Sequence, residues 1–311
     1  MQQQTDNKER IKRLAQRVMA LPPLPTLVAK LIELIDDPRT SAASLGKLIS
    51  TDQVMTARVL KIANSAFYGF TRRIATVNLA IVVLGFDALK DLCVTVSLRD
   101  WFPGDDEDGD LDMSLFWEHS IGTGVAGRLI ARETGYKISG EVFVAGLLHD
   151  IGKLVLKQYL REEFREITQL VRHEDRRFVE AELEVLGLHH GTIGRWLVEK
   201  WNLPEHLAEA VAWHHEPANA TTNYPLTATV HFANYLVRTC GVGFSGDHLD
   251  AVLDPAVVAN LNLRLTEEGA LDLPYYQELL REELEKTETF LNVIRNEPPQ
   301  SERQRVVYGS R

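Results

Sequence analysis

The stretch GLLHDIGKL, residues 146–154, decides the fold because it ends an apolar helix on the polar pair His149 and Asp150. Apolar residues dominate the preceding run EVFVAGLL, which predicts a buried helix. Lys153 follows Asp150 by three residues, about one helical turn further on. Imidazole is a borderline metal ligand and carboxylate a hard one, so histidines joined by one aspartate suit Fe, Mn, Zn or Ni.

Four more histidines, His119, His190, His214 and His215, lie on the apolar faces of other predicted helices. A lone buried histidine is most often a core residue with satisfied hydrogen bonds, and this alternative stays open for each of them. Burying several imidazoles together costs desolvation free energy unless each finds a partner. A bound cation would satisfy several of them and hold the rings in the neutral form that binds metal.

Composition and net charge restrict the classes of protein to which this chain can belong. The chain has 311 residues, 45% hydrophobic and 25% charged, which is typical of a globular protein with one large or two ordinary domains. Its formal net charge of -10 argues against general nucleic-acid binding. The two cysteines and the polar start MQQQTDNKER predict a cytoplasmic protein with free thiols and without a signal peptide. No apolar run is long enough to predict a membrane span.

The spacing of apolar residues predicts an all-α protein, since runs of alternating β-branched residues are nearly absent. An acidic, glycine-containing segment at 103–112 is the predicted boundary between two lobes. The predicted parts are an N-terminal helix (1–20), a helical lobe (21–102), a helical bundle (113–218), a helical extension (219–295) and a flexible tail (296–311).

Six segments, in this order, resemble the HDOD domain, a divergent branch of the HD phosphohydrolase superfamily, over residues 21–218. They are LPPLPTL (21–27), ISTDQVMTARVLKIANSAFYGF (49–70), ATVNLAIVVLGFDALKDL (75–92), WEHSIGTG (117–124), GLLHDIGKLVL (146–156) and LGLHHGTIGRWLVEKWNLPEHLAEAVAWHHEP (186–217). The resemblance implies a helical N-terminal lobe packed on an HD-type helical bundle.

The resemblance also implies roles for individual residues. His149 and Asp150 would be the HD pair of metal ligands, with Asp150 able to bridge two ions and to take part in catalysis. Lys153 would be the catalytic lysine that contacts a substrate phosphate. The remaining implied ligands of the divalent metal (Fe, Mn, Ni or Zn) are His119, His190, His214 and His215.

Two positions depart from the pattern of metal-dependent relatives. Leu115 stands where the related HD-GYP branch has a glutamate, and Asn234 stands where HD hydrolases have a late aspartate. Each change removes a carboxylate that would bind metal or compensate its charge. The sequence therefore predicts weakened metal binding and degenerate or weak catalysis.

The leading functional hypothesis is a cytoplasmic signal-transduction module that binds a signalling protein partner or a small nucleotide-like ligand. The aromatic segment NSAFYGF (64–70) is its candidate partner surface, although its aromatic rings could equally seal the core of the lobe. The alternative hypothesis is a metal-dependent phosphohydrolase acting on a nucleotide or cyclic dinucleotide. Nucleic-acid binding is a third, weaker alternative.

Overall fold

A computed structural model describes residues 2–36, 39–64, 73–102, 111–136 and 139–294. These residues form helices joined by loops, with one isolated antiparallel bridge between Leu265 and Leu271 and no strand. The predicted all-α fold is therefore confirmed. Within the described part of the chain, no helix combines the length and the apolar character needed to cross a bilayer.

The chain divides into two compact units. The first contains the described residues of 1–24 and 102–280, and the second contains those of 25–101 and 281–311. The predicted division into lobe, bundle, extension and tail stays a prediction. The aromatic segment after Asn64, most of the acidic segment 103–112 and the tail 296–311 lie outside the described residues.

The helices are numbered in chain order. They are α1 (Gln2–Met19), α2 (Thr26–Asp36), α3 (Ala42–Ile49), α4 (Gln53–Ala63), α5 (Val77–Leu84), α6 (Phe86–Trp101), α7 (Met113–Thr134), α8 (Ser139–Leu148), α9 (Ile151–Tyr159), α10 (Arg161–Glu174), α11 (Phe178–Leu186), α12 (His190–Lys200), α13 (Glu205–Trp213), α14 (Tyr224–Thr239), α15 (Pro255–Asn260) and α16 (Leu273–Ile294). A 3-10 turn at Pro217–Asn219 separates α13 from α14.

Local capping explains where helices of the second unit begin and end. Ser41 caps α3, and its side chain and that of Ser44 each accept a hydrogen bond from the other residue's backbone N–H. Asp52 accepts a hydrogen bond from the Met55 N–H at the start of α4. Gly85 ends α5 at a φ of 87°, a conformation that glycine adopts without steric cost.

Close helix packing in the first unit places the HD pair. Gly146 on α8 faces the backbone of Gly124 on α7, where a Cβ atom would lie 2.7 Å from backbone atoms. Gly152 on α9 faces α12 so closely that a Cβ atom would overlap the carbonyl oxygen of His190. These contacts hold the backbones of α8 and α9 against the helices that carry His119 and His190.

Candidate metal centre

The structure brings together the six side chains that the sequence singles out as metal ligands, all within the first unit. His119 lies on α7, His149 and Asp150 form the break between α8 and α9, and His190 begins α12. His214 and His215 directly follow α13. His215 is partly buried, and the other five are buried. Their role as ligands stays a prediction, but their convergence is a property of the structure.

One group of candidate ligands surrounds Asp150 Oδ1. His190 Nε2 lies 3.0 Å from this oxygen, and His214 Nε2 lies 3.6 Å from it. His190 Nε2 is also 3.3 Å from His214 Nε2 and 3.1 Å from His215 Nε2. Three imidazoles and one carboxylate oxygen thus meet at one point, within 4.8 Å of one another.

A second group surrounds the other oxygen of the same carboxylate. His149 Nε2 lies 3.4 Å from Asp150 Oδ2, and His119 Nε2 lies 3.9 Å from it. Asp150 is therefore common to both groups, as a bridging carboxylate would be.

The hydrogen bonds of three rings fix which nitrogen is free to bind a cation. His149 Nδ1 donates to the Gly146 carbonyl at 2.6 Å, and His214 Nδ1 donates to the Val211 carbonyl at 2.8 Å. His190 Nδ1 donates to Glu182 at 2.6 Å. Each of these rings, when neutral, presents a lone pair at Nε2.

Several of the converging atoms lack a hydrogen-bond donor. Among the described residues, the Nε2 atoms of His119 and His149 and the Oδ1 atom of Asp150 are buried without a hydrogen-bond partner. Buried polar atoms without hydrogen-bond partners are costly, and a bound cation would satisfy those that carry a lone pair. The donor set therefore fits a divalent ion of the borderline class.

The charge states at neutral pH also suit a metal. Burial lowers the pKa of His119 to about 3. Burial, reinforced by the neighbouring imidazoles, places the pKa values of His214 and His215 well below normal, so these rings are neutral. Burial alone would raise the pKa of Asp150, but His149 and Lys153 outweigh it and hold that pKa well below its usual value.

Glu182 is a site residue that the sequence analysis missed. It is fully buried on α11, and its Oε2 atom accepts from both the backbone N–H and Nδ1 of His190, at 3.0 and 2.6 Å. Burial would lower the pKa of His190, but Glu182 outweighs it and raises that pKa. The signal available in the sequence is an acidic residue on the apolar face that Phe178 and Val185 define.

We expect Glu182→Gln to weaken divalent-metal affinity by about 10- to 100-fold, because a carboxylate orients the ring and raises its basicity. Competition against a chelating dye measures this affinity. Glu184→Gln is the matched control, since Glu184 lies on the same helix with an exposed side chain paired to Arg176. Equal metal affinities of the two variants would contradict the role of Glu182.

Lys153 lies inside the site, but its ammonium group is already paired. It is 2% exposed and donates to Asp150 Oδ2 at 2.8 Å and to the Ser245 carbonyl at 2.7 Å. Its Nζ atom also lies 5.1 Å from the centre of the Phe178 ring. The predicted phosphate-binding lysine is thus placed at the cluster, and its contacts are to the protein itself.

His231 on α14 forms a hydrogen bond to the backbone of His214, one of the paired histidines. Its Nδ1 atom donates to the His214 carbonyl at 2.7 Å, and its Nε2 atom accepts from the Asp254 N–H at 2.9 Å. The ring therefore joins the backbone of a candidate ligand to the start of α15.

The structure also describes the two positions, Leu115 and Asn234, that depart from the hydrolase pattern. Leu115 on α7 is 40% exposed. Asn234 on α14 is buried, and its Oδ1 atom has no hydrogen-bond partner among the described residues. A neutral amide at this position cannot compensate the charge of a metal ion as a carboxylate would.

Comparison with known proteins identifies the family. The HDOD domain model matches residues 21–217. The chain is 28% identical to an uncharacterized protein of Treponema pallidum (strain Nichols) over 239 residues, which is 76% of this chain and 45% of that protein. The chain thus spans less than half the length of this curated relative.

Two solved structures share the fold. An HDOD domain protein of unknown function from Geobacter sulfurreducens has a TM-score of 0.72 at 26% identity, covering 91% of this chain and 97% of that one. A protein of Shewanella amazonensis SB2B, provisionally named a phosphohydrolase, has a TM-score of 0.67 at 23% identity, covering 90% and 97%. With the HDOD model matching more than half of its length, this chain belongs to the HDOD domain family.

Proposed function

We propose that this chain is a regulatory HDOD module of the cytoplasm that holds a divalent metal at the Asp150 cluster and has weak or no hydrolytic activity. The observation that carries the proposal is the convergence of His190, His214 and His215 with Asp150, whose Oδ1 atom is buried without a hydrogen-bond partner among the described residues. The module's output is the binding of a signalling protein or of a small nucleotide-like ligand.

The residues that would hold the metal are Asp150, His190, His214 and His215. An ion bound there supplies positive charge and Lewis acidity. The chain's own residues fix the geometry, since Glu182 orients His190 and the Val211 carbonyl orients His214. Because α9, α11, α12 and α13 each contribute to the cluster or its support, the ion would tie these helices together and stabilise the bundle.

Three features favour regulation over catalysis. His149, His190 and His214 have no exposed surface, whereas hydrolysis needs access for substrate and water. Lys153 is buried, and its ammonium donates to Asp150 and to the Ser245 carbonyl. Leu115 and Asn234 supply no carboxylate to the site.

A specific observation favours phosphohydrolysis as the second candidate function. Both ligand groups share Asp150, and a carboxylate between two ions is typical of two-metal phosphoesterases. The fold similarity to the Shewanella amazonensis protein agrees with this alternative. Its substrate would be a nucleotide or a cyclic dinucleotide.

Metal content tests both functions, and turnover distinguishes between them. We expect protein purified without a histidine tag to retain about one divalent ion per chain by elemental analysis. With added Mn or Fe, we expect no hydrolysis of bis(p-nitrophenyl) phosphate or cyclic dinucleotides above the rate of the metal-free protein. Hydrolysis by the wild-type protein that is lost in a folded His149→Ala variant would contradict the regulatory proposal. Absence of bound metal would contradict both functions.

A further inference from the structure

The two ligand groups around Asp150 differ in whether a positively charged side chain already lies beside the carboxylate oxygen. Within the described structure, Lys153 Nζ lies 2.8 Å from Asp150 Oδ2, closer than the Nε2 atoms of His149 at 3.4 Å and His119 at 3.9 Å. The Oδ2 side of the carboxylate therefore already has a cation. The Oδ1 side faces His190 and His214, whose Nδ1 protons are given to Glu182 and to a backbone carbonyl.

The loop that contains Ser245 holds Lys153 in this position. Its second hydrogen bond goes to the carbonyl of Ser245, a residue that is 4% exposed. Arg238 in turn fixes that loop, because it donates to Ser245 Oγ at 2.9 Å and to the Leu249 carbonyl at 2.7 Å. Moving the ammonium away would leave a buried carbonyl without its donor, and a buried acceptor without a partner is unfavourable.

The charges in the buried site also limit the number of metal ions. Asp150 and Glu182 each contribute one negative charge, and Lys153 contributes one positive charge. One divalent ion then leaves the site with a single net positive charge. A second divalent ion would leave three, and like charges repel strongly where burial reduces screening.

We propose that Lys153 acts as a built-in cation that takes the place of a second metal ion beside Asp150 Oδ2, so that the centre binds one ion at Asp150 Oδ1 and none between His119 and His149. This rests on the proposed function, because it concerns the number of ions that the same cluster holds. The lysine thereby determines metal stoichiometry as well as neutralising the carboxylate.

The test is the metal content of Lys153→Met, a variant whose unbranched side chain is one atom shorter and carries no charge. After reconstitution with Co(II) and removal of loose metal, we expect about one ion per chain in the wild type and about two in the variant. The second ion should give magnetic coupling between two Co(II) centres by electron paramagnetic resonance. Lys157→Met is the matched control, since Lys157 lies on the same helix and donates to the Leu111 carbonyl, and it should stay at about one.

Two ions in the wild type, or one in a folded Lys153→Met, would overturn the inference and leave the metal-binding proposal intact. Absence of metal from all three proteins would overturn the proposed function as well. If Lys153→Met does not fold, His149→Ala and His214→Ala decide the question. A single ion on the Oδ1 side requires that His149→Ala keep it and His214→Ala lose it, and the reverse pattern contradicts the inference.

Discussion

Replacing Asp150 by Asn is expected to reduce bound metal from about one ion per chain to nearly none. Among the described residues, Asp150 is the carboxylate that both ligand groups share, and a neutral amide is a poor ligand for a divalent cation. The same change leaves the Lys153 ammonium buried without its counter-charge, so the free energy of unfolding should fall by about 3 kcal/mol. Elemental analysis and chemical denaturation measure the two effects.

Asp175→Asn is the control for Asp150→Asn. Asp175 is exposed at the end of α10, where its φ of 52° is one that asparagine also adopts. We expect its metal content and unfolding free energy to match the wild type. An Asp150→Asn protein that retains the wild-type metal content would show that the histidines bind elsewhere or bind without this carboxylate.

Replacing Gly152 by Ala is expected to lower the free energy of unfolding by about 3 kcal/mol, because the added methyl group overpacks a helix contact. The new Cβ atom would overlap the His190 carbonyl oxygen and lie 2.9 Å from the Gly194 nitrogen. Both are backbone atoms, so α9 and α12 must move apart. That movement draws His190 away from Asp150, and metal affinity should fall together with stability.

Gly46→Ala separates this effect from a general cost of glycine substitution. Gly46 is also buried within a helix, but the atom nearest to its added Cβ is the end of the Asn78 side chain, which can rotate away. Thermal and chemical denaturation should therefore show little change, since alanine also favours helix. A Gly152→Ala protein as stable as Gly46→Ala would contradict the close approach of α9 and α12.

Local sequence patterns were sufficient to predict that the protein is helical and that several histidines lie on apolar helix faces. The apolar run before His149 and the apolar spacing around His119 mark buried helical faces, and the structure buries both histidines. The sequence pattern over residues 152–173 predicts one helix, and this prediction is wrong. The structure has two helices there, separated at Leu160, whose φ of -131° and ψ of 51° are not helical. Leu160 is a good helix former, so its local sequence gives no sign of this break.

The contacts of the supporting residues could not be predicted because they join different helices and depend on how those helices pack. Glu182 reaches His190 across the turn between α11 and α12, and His231 reaches the His214 carbonyl from a helix that begins later in the chain. The position of Lys153 also depends on a contact that the local sequence does not reveal. Its spacing from Asp150 is local, but its hydrogen bond to Ser245 spans 92 residues and depends on tertiary packing.

Anomalous diffraction at the absorption edge of a bound metal tests most directly whether the buried histidine–aspartate cluster is a metal centre. Crystals of the untagged protein soaked in Mn(II) or Co(II) should give a peak between Asp150 Oδ1 and the Nε2 atoms of His190 and His214. No anomalous peak in that position, with the six side chains arranged as described, would show that the cluster is a packed core of histidines and would contradict the account.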